Sequence, residues 1–148
     1  MPPGIAENFS AACDALHAAL NAVPADLADT PWRPGGWTRK QVLGHMLDSA
    51  ANNHQRFVRA SIDGSYAGPS YRQQEWVDAH GYAEIPWSTL LDWWDAYHQL
   101  LQAVVRRIPA ERLSAPCQVG DDAPVTLEFL ITDYIAHQQH HLRQILAS

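Results

Sequence analysis

"LEFLITDYIAHQQHHLRQIL", residues 127–146, decides the fold. Leu127, Leu130, Ile131, Tyr134, Leu142 and Ile145 recur at threes and fours, which is one face of an α-helix. Thr126 stands just ahead of them, a side chain suited to capping the first turn. At about 100° per residue, His141 falls near the middle of this apolar stripe. His137 falls at its edge one turn earlier, and His140 projects well away. The helix is expected to run to about Ala147 and to bury its stripe against other helices.

Three more helical segments supply those partners. Residues 5–22 space Ile5, Phe9, Ala12, Leu16 and Leu20 at threes and fours. "VPADLADTPWRPGGW" follows, and its prolines and glycine pair make it a connection. Thr38 then opens a second helix, with Gln41 three residues on to complete a capping box. Val42, Leu43, Met46, Ala50 and Phe57 carry that helix to about Ala60. "DGSYAGPSY", residues 63–71, breaks it and begins a long crossover with room for a short helix near 72–79. "IPWSTLLDWWDAYHQLLQAVVRRI" is the third long helix, striped by Leu90, Trp94, Tyr97, Leu101, Val104 and Ile108 and closed by Pro109. Residues 119–126 could be extended, but not enough for a sheet. Four long helices predict an all-α four-helix bundle. Its long second and third connections leave the helix order open.

The chain has 148 residues, of which 47% are apolar and 18% charged, as suits a single globular domain spanning 1–148. The formal net charge of −6 comes with no basic cluster, so no footprint for nucleic acid or an anionic lipid surface is present. Cys13 and Cys117 form no CxxC pair and read as buried thiols of a reduced compartment. No apolar run approaches the ~20 residues that span a bilayer. "MPPGIAENFS" lacks the basic segment of a secretory leader. A cytoplasmic protein is expected. The six tryptophans are read as filling core or interface space, and with the acidic surface they would permit a homodimer.

The histidines carry the functional question. His137 and His141 stand one turn apart on one helix face, with Cβ atoms about 5–6 Å apart. Imidazoles so placed can both reach one cation at about 2.0–2.1 Å. They can equally be core side chains bonded to Gln138, Gln144 or Asp133, and the Glu of an HExxH motif is missing. A third ligand must come from the second helix, which offers His45 and His54. The periodicity does not choose between them. His54 borders the main apolar stripe, while His45 shares a face with Ser49, Asn52 and Arg56. Asp48, one turn after His45, could orient a ring nitrogen. His17, His80 and His98 show no ligand-like partner and read as polar or half-buried.

"GGWTRKQVLGHMLDSAANNHQRF" at 35–57 and "DYIAHQQHHLRQIL" at 133–146 resemble the second-helix and last-helix signatures of the DinB/YfiT-like family of metalloenzymes. "SYRQQEWVDAHGY" and "IPWSTLLDWWDAYHQLL" are similar to the segments between, so the resemblance covers nearly the whole chain. It implies a four-helix bundle with a divalent metal held between helices at one end. By the motif match the ligands are His45, His137 and His141, and His140 is not assigned. It also implies a dimer. Its members include transferases that use a low-molecular-weight thiol as well as hydrolases.

Three neutral imidazoles would leave an ion with an open position, as in a catalytic site, and zinc or nickel suits them. The expected function is therefore a metal-dependent transferase or hydrolase acting on a small molecule. Asp48 would be the orienting group, and Asn52, Arg56 and Tyr134 candidate pocket walls. A non-catalytic metal-binding or stress-response module, acting through dimerisation or partners, is the alternative.

Overall fold

Thr38 folds as its surroundings dictate. Its side chain accepts from the Gln41 backbone N–H at 3.2 Å, and the Gln41 amide oxygen accepts from the Thr38 N–H at 2.9 Å, completing the capping box. The computed structural model describes residues 4–148. Met1, Pro2 and Pro3, where the stretch read as lacking a leader begins, lie outside the described residues.

Among the described residues there are five α-helices: α1 (Ile5–Asn21), α2 (Arg39–Asp63), α3 (Gln73–His80), α4 (Trp87–Arg107) and α5 (Leu127–Ile145). The four long ones make a four-helix bundle, and α3 is the short helix expected in the crossover. Gly64, at φ 77°, ends α2 in the left-handed conformation that glycine adopts without strain. Thr126 caps α5 by accepting from the Phe129 N–H at 3.0 Å. The long helices pack chiefly in the cyclic order α1, α4, α2, α5, so α1 and α2 do not sit side by side as chain neighbours. The extended connection between them permits this.

Residues 119–126 do not act alone. A three-stranded sheet joins β1 (Tyr66–Gly68), β2 (Pro116–Val119) and β3 (Val125–Thr126). β1 and β2 run parallel, with Tyr66 opposite Cys117, while β2 and β3 are antiparallel. Sequence reading missed it because each strand is two to four residues long and β1 lies about fifty positions from its partner β2. The sheet clips the crossover after α2 to the loop before α5.

Two apolar clusters fill the bundle. One gathers Leu16, Leu20, Leu43, Met46, Leu47 and Trp94, the other Phe9, Phe57, Leu101, Leu130 and Tyr134. Full burial stabilises each such side chain by roughly 1.5–3 kcal/mol. Trp87 and Trp94 are buried as expected, but Trp93 is exposed. Both cysteines are buried and free. Among the described residues no helix is long and apolar enough to cross a membrane.

Polar residues in the stripes depart most from expectation. Gln138, outside the expected stripe, is 0% exposed, whereas His141 and Leu142, placed within it, are only half-buried. The Gln138 amide oxygen accepts from Trp94 Nε1 at 3.1 Å, and its Nε2 donates to the Met46 carbonyl at 3.0 Å. Burial is tolerated because both ends of the amide are bonded. His98 is likewise buried, not half-exposed. It donates from Nδ1 to the Trp94 carbonyl at 2.7 Å, and Nε2 accepts from the Tyr134 hydroxyl at 2.6 Å. His54 pairs with the Tyr97 hydroxyl at 3.0 Å.

Candidate metal centre

α2 and α5 pack directly against one another, and their histidines meet at that seam. The His45 and His141 rings are 4.5 Å apart, centroid to centroid, and nearly perpendicular at 84°. His137 and His141 stack at 5.9 Å and 16°. His140 also lies beside His141, at 5.1 Å, but faces outward. His45 is buried, His141 half-buried and His137 exposed. His54 lies elsewhere, engaged with Tyr97 on α4.

Two observations bear on what these rings can do. Gln144 Oε1 lies 2.9 Å from His141 Nδ1. An amide oxygen only accepts, so Nδ1 carries the proton and Nε2 keeps its lone pair. His45 Nδ1 is buried without any hydrogen-bond partner, a condition native interiors rarely leave unexplained. Burial, with His141 and His137 close by, lowers the His45 pKa to about 4. Burial also lowers that of His141. Both rings are therefore neutral at physiological pH, the state in which imidazole binds metals.

The donor atoms are not yet gathered. Among the described residues no three His, Cys, Asp or Glu side chains stand so that they could hold an ion as they lie. The ring planes give the reason. A ligating imidazole places the ion in its own plane, and the nearly parallel planes of His137 and His141 do not converge. His141 is held by Gln144, whereas exposed His137 is free to turn. The chemistry of the set fits a divalent ion, and its present rotamers do not complete one.

Asp48 does not serve His45. Its Oδ1 accepts from the Tyr82 hydroxyl at 2.6 Å and lies 3.0 Å from His80 Nδ1. Its Oδ2 is buried with no partner. Burial raises its pKa, against the opposing pull of Tyr82 and His80. The ring it orients is His80, on α3, a residue expected to have no ligand-like partner. Tyr82 in turn presses on α2 where Gly44 offers no side chain, since a Cβ there would overlap the Tyr82 ring. Trp37 flanks His45 at 5.1 Å and Tyr71 at 6.4 Å, which encloses it in aromatic rings.

A cavity of about 330 Å³ opens beside His45 and His137. That suits a small ligand. Arg56 and Tyr134 line it, as expected; Asn52 does not, and Asn53 takes its place. Asn52 instead donates to the Asp48 carbonyl at 2.9 Å. Asp133 lies on the cavity wall one turn before His137, a carboxylate that sequence reading considered only as a bonding partner for histidine. Cys117 and Val119 reach the cavity from β2, so the unforeseen sheet forms part of its wall.

Known proteins resemble this chain along most of its length. A family model described as the DinB superfamily matches residues 8–145. A Bacillus cereus protein named "Putative metal-dependent hydrolase" is 28% identical over 130 residues, covering 88% of this chain and 75% of its own length. A Bacillus anthracis protein with the same description is 27% identical over the same shares. The structure of YfiT from Bacillus subtilis, described as a probable metal-dependent hydrolase with an unusual four-helix bundle topology, is similar at a TM-score of 0.85. It shares 25% identity, and the match covers 95% of this chain and 83% of that one.

Proposed function

This chain belongs to the DinB superfamily, and on that premise we propose that it is a metal-dependent hydrolase of a small molecule, with His45, His137 and His141 as its ligands. The observation that carries the reading is the buried, unpartnered His45 nitrogen beside a His141 whose Nε2 is left free by Gln144. Zinc or nickel suits a set made only of imidazoles. Such an ion supplies Lewis acidity, polarising a substrate oxygen and making water a nucleophile near neutral pH.

The protein's own residues do the rest. Burial keeps His45 and His141 unprotonated, so their lone pairs are available without competition from protons. Gln144 sets the tautomer of His141 and limits its rotation. Asp48, Tyr82 and His80 brace the loop after α3 against α2, beside His45. Asp133, on the cavity wall one turn before His137, would take a proton during hydrolysis.

Metal analysis of protein purified without a His tag tests the ligand set. About one ion per chain, lost in His45→Ala and in His141→Ala, is expected. Less than about half an equivalent, with no fall in Tm on chelation, would overturn it. Loaded protein is then assayed on small esters and amides, with and without a low-molecular-weight thiol. Turnover that requires the thiol identifies a transferase, and none with either leaves a binding module.

A further inference from the structure

Arg56 lies on α2 three turns beyond His45, about 16 Å along the helix axis. Its residue is 8% exposed, and it lines the same cavity as His45 and His137. A helical side chain leans toward the N-terminus of its helix, which brings the guanidinium back toward the histidine end. Among the described residues it enters no ion pair. Its hydrogen bond is a long one, from Nη2 to the Pro69 carbonyl at 3.4 Å. A guanidinium has five N–H donors and is a permanent cation. Burying one without a counter-ion is costly unless something completes it.

We infer that Arg56 is an anion anchor and that the cavity takes a small monocarboxylate, gripped through both carboxylate oxygens, with its other end directed to the histidines. The planar fork of arginine matches a carboxylate in two parallel hydrogen bonds. Ser49 and Asn53 line the same cavity along α2 and offer further polar atoms. Asp122 and Asp133 stand on its walls, and their negative charge disfavours a dianion such as phosphate. The inference deepens the hydrolase reading and rests on it only for what happens at the histidine end. The anchor itself needs no metal.

The test is calorimetric titration of the full chain with benzoate and 3-phenylpropionate, their primary amides, and inorganic phosphate, at fixed ionic strength. It is run once after chelation and once with zinc added. Both carboxylates bind chelated wild-type protein at least tenfold more tightly than their amides. Arg56→Gln abolishes that difference, and Arg56→Lys, which keeps the charge but loses the fork, retains only part of it. Carboxylate affinity unchanged in Arg56→Gln or in Arg56→Lys would overturn the assignment. So would wild-type protein that prefers neither carboxylate, or that binds phosphate more tightly than both. Failure to bind zinc, with the Arg56-dependent preference intact, would defeat the metal reading and leave the anchor standing.

Discussion

His141 gives its Nδ1 proton to the amide oxygen of Gln144, one turn further along α5, across 2.9 Å. That bond decides which nitrogen of His141 is free. Gln144→Ala removes the acceptor, lets the ring change tautomer and rotate, and is expected to weaken zinc binding about 10–100-fold. Gln144→Glu, which still accepts, should keep most of the affinity. Competition with a fluorescent zinc chelator measures both.

Replacing His141 with Ala should abolish metal binding, whereas His140→Ala should change it less than about threefold in affinity, within the scatter of ordinary surface substitutions. His140 is beside the site but turned outward. Equal losses in the two variants, read by the same competition assay, would refute the assignment of faces on α5.

Gly44→Ala places a methyl group inside the Tyr82 ring. The ring must move, and with it the hydroxyl that donates to Asp48 Oδ1. Overpacking of this kind costs typically about 1–3 kcal/mol, and disturbing the bond to a buried carboxylate adds to it. Urea denaturation should show the loss. Tyr82→Phe, which removes only the hydroxyl, should lose less than Gly44→Ala.

Stability should fall on acidification through a window set by His98. Burial lowers its folded pKa from 6.5 to about 4. The unfolded chain therefore takes up a proton first. The contribution is fully present above pH 6.5, is lost as pH falls toward 4, and is flat below. Its size is on the order of 3 kcal/mol. In metal-free protein buried His45, also lowered to about 4, acts in the same direction. Urea midpoints at pH 7, 6, 5 and 4 measure the slope, and His98→Gln should flatten it.

Helical elements were legible in the sequence because they announce themselves locally. Thr38 and Gln41 mark the start of α2, Thr126 that of α5, and the apolar spacing supplies the rest. The candidate site was legible in part. The resemblance selected His45 over His54, a choice that helical periodicity leaves open, and the structure brings the His45 and His141 rings together. What stayed hidden depends on contacts distant in sequence. Nothing near His80 shows that Asp48 will meet it, and nothing near Gln138 shows that Trp94 and the Met46 carbonyl will satisfy it. The strands were too short to display alternation. Asn53 replaced Asn52 on the cavity wall because a one-residue error, 100° around a helix, moves a side chain to another face.

Gln138 follows His137 directly, and Met46 follows His45. The bond from the Gln138 amide to the Met46 carbonyl therefore works as a vernier between two sliding rods. It sets the height at which the imidazoles of one helix stand level with that of the other. An amide sealed in the bundle, where no substrate arrives, thus calibrates a centre it does not join, and shortening it to Asn would put α5 out of step with α2 and scatter the histidines while every one of them remained in place.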